Sequence, residues 1–231
     1  MTNPDTHAPT SEAVERGARA YTRALLTCYD VVVLGLVSRF VWRAPRARTQ
    51  HHYDLHVGAR HLELGPGTGY FLQHSLRRRP PERLALADLN PEVLTYSARR
   101  LALHRPEIYE RNILRPLEID PPRFDSIGLS FLLHCLPGCI RDKAVVFDHA
   151  AAVCAPGGRI FGSTVLGRRE PHSPVARLLL AWFNRKGMFA NTGDTLEDLE
   201  RQLAHRFTDY RVARCGSVAF FQARCAHDTV S

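Results

Sequence analysis

Glycine recurs at every second position in Leu62-Glu63-Leu64-Gly65-Pro66-Gly67-Thr68-Gly69-Tyr70-Phe71, where an apolar stretch meets a helical one. Glycines at that spacing let the backbone turn sharply and admit a ligand where a Cβ would block it. Glu63, two residues ahead of the first glycine, would repel a phosphate. An acid there suits a ligand that presents an amino group or ribose hydroxyls. A second acid, Asp88, stands 19 residues after Gly69, at the end of the apolar run Leu84-Ala85-Leu86-Ala87. In a doubly wound sheet the second strand lies beside the first, so a carboxylate at its end can take both ribose hydroxyls. The dinucleotide fingerprint instead needs its third glycine three residues after the second. Tyr70 holds that position, and the spacing argues against a nicotinamide oxidoreductase.

The flanking elements must present these groups on one rim. Asn90-Pro91 reads as a helix start, with an N-cap side chain and proline at the first helical position. Val93, Leu94, Ala98 and Leu101 give that helix an apolar face, and Pro106 lies beyond its end. A weak third strand is expected over 107–112 and a buried fourth over 124–131. A helix over 141–153 follows, then a turn at Pro156-Gly157-Gly158 into a fifth strand over 159–165. Thr195 caps a helix to about residue 205, with Asp198 three residues on. The tail reads as two strands, 210–215 and 218–224, around Gly216-Ser217. Ahead of the glycine turn, residues 1–11 are polar, a helical pattern runs from residue 12 through Tyr21, Leu25 and Tyr29, and a second apolar helix spans 31–42 until Pro45. Strands alternating with helices and closing in a hairpin predict an α/β doubly wound sheet with an antiparallel edge.

The chain has a formal net charge of +8, carried mainly by arginine. Arg43-Arg46-Arg48 and Arg77-Arg78-Arg79 could meet nucleic acid or an acidic small molecule, but no aromatic-interleaved RNA motif accompanies them. The six cysteines form no pairs at zinc-site spacing, and scattered thiols suit a reducing cytoplasm. The apolar segment 31–41 is far shorter than the roughly 20 residues of a membrane-spanning helix, so no membrane insertion is expected.

Taken together, the 63–69 motif, Asp88, Phe124-Asp125 and Ala155-Pro156-Gly157-Gly158 resemble the class I S-adenosylmethionine (SAM)-dependent methyltransferases, over roughly residues 20–226. The resemblance implies a mostly parallel, seven-stranded Rossmann-like sheet whose last two strands are the hairpin. It implies SAM as methyl donor, with Glu63 and the backbone of Gly65, Pro66, Gly67 and Gly69 at the methionine end. Asp88 would take the ribose and Leu89 would lie against adenine. Asn112 stands where the family often has an aspartate for the adenine amino group, followed by Ile113; Ser130 closes the fourth strand. Tyr29-Asp30, Ser38 and Trp42-Arg43 resemble the entry segment of ubiquinone/menaquinone-type enzymes and their small-molecule relatives. There Tyr29 would fold over the donor, making residues 1–50 a helical lid and 51–231 the SAM domain. The alternative is that Tyr29 and Trp42 are ordinary core aromatics.

His134 follows the fourth strand and is the candidate general base; its alternative role is to cap a helix or hydrogen-bond backbone. Residues 166–194 are read as a substrate-side insertion. Its arginines and aromatics suit a small acceptor that is acidic or largely apolar, although 178–183 could equally be a packed helix. His51, His52 and His56 are read as loop histidines, and no metal is expected. The expected function is methyl transfer to a small, specialised or quinone-like metabolite in the cytoplasm, with homodimerisation left open. A nucleotide-dependent oxidoreductase and a non-catalytic, nucleic-acid-binding member of the fold are the alternatives.

Overall fold

The computed structural model describes residues 32–121 and 123–226, so Tyr29 and the helical pattern before it lie outside the described residues. A helical segment Val32–Val41 leads into α1 (Arg46–His56). Five strands then alternate with helices: β1 (Arg60–Leu64), α2 (Tyr70–Leu76), β2 (Arg83–Asp88), α3 (Pro91–Arg100), β3 (Glu107–Glu110), β4 (Phe124–Ser130), α4 (Ile140–Lys143), α5 (Val145–Val153) and β5 (Cys154–Val165). Helices α6 (Pro174–Arg185) and α7 (Leu196–Arg206) precede the hairpin β6 (Tyr210–Cys215) and β7 (Val218–Arg224). The strands form one seven-stranded sheet, as expected, and its order is β3-β2-β1-β4-β5-β7-β6. β1 to β5 pair in parallel, and β7 pairs antiparallel with both β5 and β6. The order reverses between β1 and β4, which opens a crevice at their carboxyl ends.

Both faces of the sheet are covered, so the inner strands are buried on both sides. On one face Leu62, Ala85, Ile127 and Ile160 pack with Phe147, Leu199 and Leu203 of α5 and α7. On the other, Leu84, Leu86 and Phe161 meet Tyr53 of α1, Phe71 and Leu72 of α2, and Leu94 of α3. Helix starts follow local chemistry. Asn90 Oδ1 accepts from Glu92 N–H at 2.9 Å with Pro91 at the first helical position, and Thr195 Oγ1 accepts from Asp198 N–H at 3.1 Å. Each such cap stabilises its helix by about 1 kcal/mol.

Four local expectations need correction. Pro45 does not end a helix; it precedes α1, so His51, His52 and His56 are helical residues rather than loop residues. Arg46–His56 is mostly polar, and only Thr49, Tyr53 and His56 are buried, which hid the helix from hydrophobic periodicity. β3 stops at Glu110, and the 141–153 helix is divided into α4 and α5. No helix among the described residues is long and apolar enough to cross a membrane.

The insertion is fastened to α4 by a buried ion pair. Lys143 Nζ donates to Asp194 Oδ2 at 2.7 Å and to the Ala190 carbonyl at 2.8 Å, with both charged side chains essentially inaccessible. Removing one partner leaves an uncompensated buried charge, which costs far more than the pair contributes. Asp194→Ala is expected to lower unfolding stability by about 3 kcal/mol, read from the urea midpoint. The double replacement Lys143→Met with Asp194→Leu should recover most of that loss.

Candidate active site

The crevice between the two halves of the sheet is a cavity, and the glycine turn forms its floor. Gly65 N–H donates to Ala87 O at 2.8 Å, tying the turn to β2. Gly65 has φ +68°, and a Cβ there would lie 2.6 Å from Leu132 Cδ1, so only glycine fits. At Gly67 a Cβ would meet nothing within 4 Å, which leaves that backbone open to a ligand. Glu63, Gly65, Pro66, Gly67, Gly69, Asp88, Leu89, Asn112, Ile113 and Ser130 all line this one cavity. Every sequence-predicted cofactor residue among the described residues is therefore brought to the same place.

Asp88 ends β2 beside the turn, and its Oδ1 accepts from Asn90 N–H at 2.8 Å. Burial pushes its pKa up to about 6, against the lowering effect of the backbone N–H groups of Asn90 and Leu89. Asn112 Oδ1 accepts from Leu114 N–H at 3.0 Å and keeps a second lone pair for another donor. Ser130 is buried beside the Tyr53 hydroxyl.

His134 does not line the cavity. It is 3% exposed, and its Nδ1 accepts from Val165 N–H at 3.3 Å, the backbone-bonding alternative to a catalytic role. Its ring meets Phe189 edge to face at 4.3 Å between centroids. Burial, and secondarily the Lys143 charge, push its pKa down to about 3. An imidazole so placed is neutral, packed and a weak base. Trp42 likewise behaves as a core aromatic, 2% exposed and packed near Phe183 and Phe189. The 178–183 stretch lies in α6, a helix whose Ala176 and Leu180 are buried.

Sequence reasoning missed Tyr53, Tyr70, Phe71, Arg111, Phe131 and Cys135, which also line the cavity. Tyr53 matters most. Its hydroxyl donates to Glu63 Oε1 at 2.6 Å, and its ring stacks on Phe71 with centroids 5.6 Å apart. The only available signal was the 49/53/56 spacing on α1. That helix is docked on α2 by Gln50 Nε2, which donates to Ser75 Oγ at 2.9 Å and to Asp54 Oδ1 at 2.9 Å.

A crevice at the switch point, glycines that expose backbone, and an acid at the end of each of two adjacent strands define a nucleoside-binding α/β fold. Residues 62–160 match the family described as methyltransferase domain. The demethylluteothin O-methyltransferase of Streptomyces thioluteus is 37% identical over 207 residues, covering 90% of each chain. The physcion biosynthesis cluster O-methyltransferase of Aspergillus chevalieri is 31% identical over 220 residues, 93% of this chain and 97% of its own. The N-methyltransferase NodS of Bradyrhizobium japonicum, solved with S-adenosyl-L-homocysteine, has the same fold: TM-score 0.59 at 14% identity, over 91% of this chain and 98% of that one. The chain belongs to the SAM-dependent methyltransferases.

The raised pKa of Asp88 has a thermodynamic counterpart. A carboxyl whose folded pKa lies above its unfolded value of about 3.9 opposes folding once ionised. The cost is absent below the unfolded value, grows as pH rises, and is complete above about pH 6. Asp88→Asn is expected to raise the melting temperature of the unliganded protein near neutral pH, and to raise it less at about pH 4.5. Equal shifts at both pH values would remove buried charge as the cause.

Proposed function

We propose that this protein transfers the methyl group of SAM to a hydroxyl oxygen of a small, largely apolar metabolite. The observation that carries the reading is the convergence of Asp88, the glycine turn and Glu63 on one cavity at the strand switch point. The oxygen acceptor is supported by the relatives from Streptomyces thioluteus and Aspergillus chevalieri, both named O-methyltransferases. The apolar acceptor is supported by Phe131, Leu132, Leu136 and Pro137 on the cavity wall. All five described cysteines are free thiols, which favours a reducing compartment such as the cytoplasm.

The residues present fit SAM. Asp88, ionised above about pH 6, would accept from the ribose hydroxyls, which return hydrogen bonds that burial took from it. The open backbone at Gly67 and the Glu63 carboxylate would hold the amino-acid end, with Leu89, Asn112 and Ile113 around adenine. Ser130 lines the same cavity. When bound, SAM supplies an already activated sulfonium methyl. The protein's part is then to orient the acceptor and exclude water, and proximity alone supplies much of the rate. His134 enters as packing rather than as a base.

Calorimetric titration should find about one site for SAM and for S-adenosylhomocysteine, and Asp88→Ala should weaken both by at least about tenfold. Incubation with 13C-methyl SAM and a panel of phenolic and enolic acceptors should give a methoxy carbon signal. A C-methyl or N-methyl product would overturn the oxygen assignment.

A further inference from the structure

The face of β1 turned toward α1 carries a buried, hydrogen-bonded His61–Glu63 pair, of which SAM binding uses only the Glu63 carboxylate. Residues His61 and Glu63 are 0% and 2% exposed, on a face otherwise filled by Phe71, Leu86 and Phe161. Strand register sets their partners: His61 lies beside Ser126 on β4, and Glu63 lies beside Gly128. His61 Nε2 is 2.9 Å from Glu63 Oε2, and Nδ1 is 2.7 Å from Ser126 Oγ. A carboxylate only accepts, so Nε2 carries the hydrogen. Ser126 Oγ in turn accepts from Gly58 N–H at 2.8 Å, which anchors the far end of the chain of bonds. Tyr53 O–H donates to the other carboxylate oxygen, Oε1.

This Ser-His-Glu order has the connectivity of a hydrolytic triad, but Ser126 is 1% exposed and does not line the cavity. No substrate reaches it. The geometry serves Glu63. Its carboxylate lies so close over Gly128 that a Cβ there would occupy the place of Oε2. Two donors, one on each oxygen, then fix its plane within an apolar layer. Each oxygen keeps a further acceptor site, and Glu63 and Tyr53 both face the cavity.

We propose that His61 and Tyr53 are positioning residues that make Glu63 the selector for the α-ammonium of the cofactor's amino-acid end. The proposal rests on the SAM reading of the cavity. A nucleoside that lacks that ammonium draws nothing from the His61–Glu63–Tyr53 arrangement. Recognition of the adenosine end, by contrast, belongs to Asp88 and its neighbours, on another strand.

The test compares two ligands of the full-length protein by calorimetry: S-adenosylhomocysteine, and 5′-methylthioadenosine, which has the same nucleoside but no amino acid. His61→Phe and Tyr53→Phe should each weaken S-adenosylhomocysteine by about tenfold or more, and leave 5′-methylthioadenosine within about twofold. His61→Gln, whose amide can still donate to Glu63, should recover most of the loss. Tyr53→Phe keeps the ring against Phe71 and Phe161, so it carries the test if His61→Phe does not fold. Equal weakening of both ligands, or of neither, would overturn the proposal while leaving the SAM reading intact. Failure of the unmodified protein to bind either ligand would overturn both.

Discussion

Glu63 is a carboxylate near the end of an inner parallel strand, 2% exposed at the edge of the cavity. Burying such a charge without partners costs several kcal/mol, so the surrounding structure has to bring donors to it. Strand pairing brings His61 against Ser126 and requires glycine at position 128. The remaining oxygen is met from outside the sheet, by Tyr53 on α1. Helix α1 is itself a poor helix by composition. It is held by that hydrogen bond, by Gln50 and Asp54 reaching Ser75, and by Arg46 over the Tyr70 ring. The position of one charge therefore fixes how the segment before β1 sits over the glycine turn.

Asp88 shows the complementary arrangement. Its carboxylate has backbone donors on the α3 side and none that offsets burial completely, so its ionised form is held at a cost in the unliganded protein. Groups in that condition gain most when a ligand supplies the missing donors. Glu63 is satisfied by the protein and Asp88 is left partly unsatisfied. The two acids, similar in sequence, thus hold opposite electrostatic positions in the same cavity.

Around α4 and residues 190–194, the buried polar groups act as fasteners. His134 accepts a backbone hydrogen bond from β5, and its carbonyl takes the Ala190 N–H at 2.8 Å. Lys143 and Asp194 tie the same stretch to α4. Together they hold residues 190–194 against His134 and α4. The desolvation that accompanies these contacts also pushes the His134 pKa down to about 3.

The glycine spacing, Asp88 and the order of strands and helices made the fold and the rim of the cavity legible in the sequence alone. Each depends on local backbone conformation or on the fixed period of a strand. The same local logic found the caps at Asn90 and Thr195 and the hairpin around Gly216. Tyr53, the burial of His134 and the partners of Glu63 were not legible. They depend on which residues lie across from one another between strands, and on a mostly polar helix that only packing and hydrogen bonding reveal. A histidine's sequence neighbourhood says where it falls along the chain. The desolvation that decides its protonation comes from Phe189 and Lys143, which only the folded chain brings beside it.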